Sequence, residues 1–213
     1  MLRSEPQMST PAKSKIIVLN GASSVGKSSM ALALQDQFKD IYLHMGIDVF
    51  WFTMPPEQID LETVDPSFYT WTTETIDGRP FMRILPGPRL DQMMVARYKA
   101  IAAYLEAGFN VIADDVTWSK VWLDACLKYT APFDAFFVGL YCDDRVLSHR
   151  ELLRGDRLPG WGRGSQKWVH EHLIYDIVID TSVHTSEDSA RHIVAAVEGG
   201  QEPEAAAKMR ARG

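Results

Sequence analysis

Apolar positions along the chain follow two alternating patterns: short unbroken runs, and longer stretches in which they recur every three to four residues. Lys15-Ile-Ile-Val-Leu19 is the first run; it ends in Asn20-Gly21, as a buried strand feeding a loop should. A helix is predicted from Lys27 through Met30, Leu32, Leu34 and Phe38, and a second strand over Ile41-Tyr-Leu-His44, with Asp48 close behind. Between Phe68 and Leu85, aromatic and β-branched residues flank Asp77-Gly78, which predicts an inserted β-hairpin. Pro88 to Ala107 repeats Leu90, Met94, Ile101 and Leu105 on one face before Gly108, a helix with a C-terminal stop. Val111-Ile-Ala113 runs into Asp114-Asp115 as a third strand, and Ala135 to Tyr141 forms a fourth. A helix from about Asp143 then leads into the segment Arg150 to Arg163. Ile177-Val-Ile179 is the fifth strand and Ser186 to Val197 the closing helix. Strands alternating with helices predict an α/β fold: a five-stranded, mostly parallel sheet with helices on both faces.

The 213 residues suit one domain, over 15–198, with polar stretches at 1–14 and 199–213 expected to be mobile tails. Lys and Arg number 22 against 28 Asp and Glu, a net charge of −6, which excludes a nucleic-acid binder of the basic type. Two cysteines make no disulfide framework, which favours a reducing compartment. No apolar run approaches the roughly 20 residues that span a bilayer, so a soluble, cytoplasmic protein without a membrane partner is expected. A homo-oligomer is compatible with this composition.

Gly21-Ala22-Ser23-Ser24-Val25-Gly26-Lys27-Ser28 matches G-x-x-x-x-G-K-[ST] between a strand and a helix, with Ser29 continuing into that helix. In such a loop backbone N–H groups point at phosphate oxygens and the helix dipole adds to them. Lys27 would bridge the β- and γ-phosphates of ATP, and Ser28 would take a place on Mg²⁺. Asp114 and Asp115, at the C-terminal end of a strand, are candidates to hold a Mg²⁺-bound water; which of them does so is open, and a helix-capping turn is the other reading. Asp48 is the candidate base that accepts the proton of an attacking hydroxyl, or else a helix N-cap.

Arg145, Arg150, Arg154, Arg157 and Arg163 lie among Gly155, Gly160, Gly162 and Gly164. This pattern suits a closing lid whose guanidinium groups neutralise the transferring phosphoryl group, with Arg150, Arg154 and Arg157 as the functional subset. The bland reading is a solvated basic helix. Asp180-Thr181-Ser182 either shapes an adenine pocket or caps a turn. Trp51, Phe52, Trp118 and Trp122 either wall an apolar acceptor pocket or belong to the core. His170-Glu-His172 lacks metal-ligand spacing.

Taken together, Leu19 to Ser28, Gly46-Ile-Asp48, Asp114-Asp-Val116, Cys142-Asp, Arg154-Gly-Asp-Arg157 and Tyr175-Asp176 through Asp180-Thr181 resemble the chloramphenicol 3-O-phosphotransferase family. The resemblance covers about Lys15 to Val197. It implies a P-loop kinase of nucleoside-monophosphate-kinase type that moves the γ-phosphate of ATP to a primary hydroxyl of chloramphenicol. By motif it assigns Gly21 to Ser28 to ATP, Asp48 to the base, and arginines of the 150–157 stretch to the lid. The segment Pro55 to Pro88 is more elaborate and more aromatic than the family pattern, so the reaction type transfers further than the acceptor does. The competing expectations are a metabolic, nucleotide or toxin-like kinase with another acceptor, and a nucleotide-binding module without turnover; the N-K-x-D and D-x-x-G motifs of guanine switches are absent.

Overall fold

Each apolar run becomes a strand of one sheet. The computed structural model describes residues 13–155 and 158–212. The chain runs β1 (Lys15–Gly21), α1 (Lys27–Gln37), β2 (Tyr42–His44), α2 (Ile47–Trp51), β3 (Tyr69–Ile76), β4 (Arg79–Pro86) and α3 (Pro88–Glu106). It continues through β5 (Asn110–Asp115), α4 (Lys120–Tyr129), β6 (Asp134–Tyr141), α5 (Asp144–Arg154), α6 (Trp161–Trp168), β7 (Ile177–Asp180), α7 (Ser186–Glu198) and α8 (Ala205–Arg210). Strand order is β2-β5-β1-β6-β7, and every pairing in this sheet is parallel. β3 and β4 form the expected hairpin as a separate two-stranded sheet.

Successive residues of a strand face opposite sides, so β1 divides the core. Ile17 and Leu19 pack with α1, α5 and α7, whereas Ile16 and Val18 pack with α3, α4 and α8. A third cluster joins Ile47, Tyr69, Met82, Ile84, Leu90 and Trp161, and ties the hairpin, the start of α3 and α6 to α2. Because β5 and β6 leave β1 on opposite sides, the loops after β1, β5 and β6 open a crevice at the C-terminal edge of the sheet.

Two expectations need correcting. The stretch 199–213 is not a tail over its described part: Ala205, Ala206 and Met209 of α8 are buried in the second cluster. Asp176 Oδ1 accepts the backbone N–H groups of Glu204 (2.7 Å) and Ala205 (2.9 Å) at the helix start. Its three apolar residues lie on one helical face, which a polar average over the segment conceals. At the other end Ser14 is also buried, donating its hydroxyl to Leu105 O at 2.8 Å; residues 1–12 lie outside the described residues.

Candidate active site

The turn from β1 into α1 depends on two residues of positive φ, Ser24 (63°) and Gly26 (103°). Alternating hand along a backbone gathers N–H groups into a concave anion site. Gly26 is the N-cap of α1 and no side chain caps that helix, which leaves its first N–H groups and positive dipole end to an anion. Ser24 Oγ is buried with no hydrogen-bond partner among the described residues. Lys27 folds back along the loop, its Nζ donating to Gly21 O (3.1 Å) and Ala22 O (2.7 Å). Burial lowers its pKa, opposed by the negative charges of Asp114, Asp48 and Asp115. An uncapped helix start, an orphaned hydroxyl and a retracted lysine together fit a bound polyphosphate.

A cleft of about 550 Å³ opens over this loop, lined on its floor by Ser23 to Met30. Gly21 and Ala22 sit beneath it; a Cβ on Gly21 would lie 2.7 Å from Leu140 O, so only glycine lets β1 and β6 approach there.

The two aspartates of β5 take different faces. Ile112 shares the α1 side with Asp114, while Val111, Ala113 and Asp115 share the α3 side. Asp114 lines the cleft, and the Ser28 hydroxyl donates to its Oδ2 at 2.9 Å. His44 Nε2 lies 3.4 Å from the same oxygen. Burial works to raise the Asp114 pKa, but His44, Lys27 and the Ser28 hydroxyl outweigh it and hold the carboxyl below its ordinary value. Asp115 is turned away: it is fully buried, 3.0 Å from Arg97 Nη1 and hydrogen-bonded by the Tyr98 hydroxyl. The metal role considered for Asp115 is therefore withdrawn on geometric grounds. No group of three or more His, Cys, Asp or Glu side chains suited to a metal occurs among the described residues. A hydroxyl and a carboxylate beside a phosphate loop are nonetheless hard oxygen donors that fit Mg²⁺, whose other ligands are commonly phosphate oxygens and water.

Asp48 is exposed in the first turn of α2 and lines the cleft. The N-cap of α2 is Gly46, so the capping alternative for Asp48 does not hold. Arg150 and Arg154 of α5 line the same cleft. The Arg150 guanidinium is committed to the framework: it donates to Val25 O (3.1 Å), Thr181 Oγ1 (3.0 Å) and Thr181 O (2.7 Å), tying α5 to the phosphate loop and the end of β7. Arg157 lies outside the described residues. Arg163 is not in the cleft; it holds the hairpin, donating to Pro80 O at 3.2 Å and Ser148 Oγ at 3.1 Å. Thr181 lines the cleft, whereas Asp180 and Ser182 form a turn.

Trp51, Phe52 and Trp118 form an apolar wall of the cleft, with Ile47, Val116 and Trp161. Trp122 does not: it is buried and its indole N–H donates to Asp91 Oδ1 at 2.6 Å. Ile59 and Leu61, in the loop before the hairpin, complete the wall. The hairpin itself braces that wall from behind, through Tyr69, whose hydroxyl donates to Ile59 O at 2.9 Å. Sequence reasoning passed over Ile59, Leu61, Trp161 and His44, and also His184, Thr185 and Ser186 at the nucleotide end. Of these, His44 and Ser186 carried a signal, as the end of an anticipated strand and the start of an anticipated helix.

The sequence profile of the chloramphenicol phosphotransferase-like proteins matches residues 14–198. A protein of Mycobacterium tuberculosis provisionally named an O-phosphotransferase, found in two strains, is 46% identical over 180 residues, covering 84% of this chain and 80% of its own. Among solved structures, a sugar kinase from Janibacter sp. HTCC2649 superposes with TM-score 0.60 at 17% identity, over 87% of this chain and 95% of that one. The APS kinase of M. tuberculosis, in complex with AMPPNP and APS, gives 0.61 at 13% identity, over 88% and 99%. A gluconokinase from Sinorhizobium meliloti gives 0.56 at 18%, over 88% and 93%.

Proposed function

The chain belongs to the chloramphenicol phosphotransferase-like family, and from that premise we propose that it moves the γ-phosphate of ATP to a hydroxyl of a small, uncharged, aromatic alcohol, chloramphenicol or a molecule like it. The observation that carries the reading is one cleft lined together by the phosphate loop, Asp48 and an indole-rich apolar wall. Gly21 to Ser29 cradle the nucleotide, and Thr181, His184 and Thr185 flank it. The wall residues Trp51, Phe52, Ile59, Leu61 and Trp118 are apolar, which favours a neutral acceptor over an anionic one.

Asp48 takes the hydroxyl proton as the alcohol oxygen bonds to the γ-phosphorus and the bond to the ADP oxygen breaks. Lys27 offsets charge on the β- and γ-phosphates, and Arg154 offsets charge on the equatorial oxygens. Ser28 and Asp114 would hold Mg²⁺, which neutralises phosphate charge when bound. Arg150 keeps α5 against the phosphate loop.

The test is ADP release with Mg-ATP, with and without chloramphenicol, together with the mass of the product. Acceptor-dependent release and a product heavier by one phosphate are expected. Lys27→Ala should abolish release, and Asp48→Asn should lower kcat by about 10²–10⁴-fold with ATP binding retained. Release insensitive to chloramphenicol but lost in Lys27→Ala would point to another alcohol; no ATP binding would overturn the reading.

A further inference from the structure

We propose that Arg97 is a positioning residue for the phosphotransfer: one buried guanidinium clamps the backbone entering α2 to the backbone of Asp114, and so sets Asp48 against the nucleotide end of the cleft. The inference rests on the functional reading above. Arg97 lies on α3, outside the cleft, with a fully buried side chain. Its Nη1 donates to Asp115 Oδ2 at 3.0 Å. Its Nη2 donates to Met45 O at 2.9 Å and to Asp114 O at 3.3 Å. Met45 is held from its other side as well, its N–H bonding Ile112 O at 2.9 Å. The next residue, Gly46, is the N-cap of α2, and Asp48 follows in the first turn. The guanidinium also lies 5.8 Å from the Phe50 ring centroid, beneath that helix.

A buried arginine that served only as a counter-charge would need Asp115 and nothing more. Here the second nitrogen of the planar fork joins two carbonyls, one from the strand that carries Asp114 and one from the loop that delivers Asp48. An ammonium on a flexible stem cannot hold all three acceptors in that geometry. Asp115 completes the device: the Tyr98 hydroxyl and the Val116 N–H (3.0 Å) fix its carboxylate and thereby the fork. Misplacing a catalytic group by about 1 Å can cost about 10²-fold in rate, so a clamp far from the reacting atoms reads out in kcat.

The test uses the full-length protein with two variants. Arg97→Lys keeps a cation opposite Asp115; Arg97→Met combined with Asp115→Leu removes the pair without leaving a buried lone charge. Hydrogen–deuterium exchange over residues 45–52 should quicken at least about tenfold in both, with Ile16–Leu19 unchanged. The kcat should fall about 10²-fold while KM for ATP stays within about threefold. Exchange over 45–52 that stays at the wild-type rate overturns the clamp. So does wild-type kcat in Arg97→Lys, and so does a uniform rise in exchange across the molecule, which would mark a merely structural pair. Wild-type protein that transfers no phosphate overturns the functional reading instead, and the exchange data then decide the clamp alone.

Discussion

Asp114 and Asp115 are chemically the same residue placed one step apart, yet the pleat of β5 sends one to the phosphate loop and the other into the α3 face. Their substitutions should therefore fail in different assays. Asp114→Asn should weaken Mg²⁺-dependent ATP binding by about tenfold with little loss of stability. Asp115→Asn should cost about 3 kcal/mol in denaturant unfolding, because it leaves Arg97 buried without its counter-charge. The acidic pair was legible in the sequence, but not its division of labour, which needs the face that each residue takes and hence the register of β1 with β5. His170 makes a second prediction at this scale. Burial lowers its pKa to about 4; its Nδ1 meets the Tyr175 hydroxyl at 2.7 Å and its ring stacks on Tyr141. The unfolded chain takes up a proton near pH 6.5 that the folded protein refuses until about pH 4. The sign follows: folding stability is lost as pH falls between those values. His170→Phe should flatten that part of a melting-temperature profile while the carboxylate-driven loss at lower pH persists.

Among the elements, α6 is the most instructive. Trp161-Gly-Arg-Gly-Ser-Gln-Lys-Trp168 reads as a hinge, because glycine costs a helix roughly 1 kcal/mol relative to alanine. In the structure those glycines let the helix lie directly on β4. A Cβ on Gly164 would fall 1.8 Å from Met82 O, and the Met82 N–H donates to Gly160 O at 3.0 Å. Glu151 of α5 finishes the arrangement by accepting from the N–H groups of Gly160 (3.0 Å) and Gly162 (2.7 Å) at the start of α6. Gly164→Ala should thus destabilise by about 3 kcal/mol in denaturant unfolding, far more than an exposed helical glycine would allow. The strands, α1, α3 and α7 were readable because their periodicity is local. α2, α4, α6 and α8 were not: α2 has five residues and α8 six. The glycines of α6 make sense only against the backbone of another element.

On the scale of the whole molecule, the phosphate loop joins the central strand β1 to α1, and both carry core residues, so nucleotide binding should be felt as global stability. Mg-ATP at a hundred times its Kd should add about 2.7 kcal/mol. For a chain of this size that raises the melting midpoint by about 5–10 °C, a shift that Lys27→Ala should erase in a thermal scan. Fold class, phosphate loop and the position of Asp48 could be read from the chain because they rest on contiguous patterns. Of the apolar wall, Trp51, Phe52 and Trp118 could be read as candidates, but Ile59, Leu61 and Trp161 could not, since a connecting loop and α6 bring them there.

The loop between α2 and the hairpin is stitched to itself. Asp60 accepts from the Glu62 N–H (2.8 Å), Gln58 from the Asp65 N–H (3.0 Å), and Asp65 from the Ser67 N–H (2.7 Å). It adds Ile59 and Leu61 to the apolar wall of the cleft. On the proposed function, selection could rewrite this stretch as a cassette, changing which molecule is phosphorylated while the phosphate loop stays intact. Drift toward new substrates, or laboratory grafting of a relative's loop, has a ready-made point of exchange here.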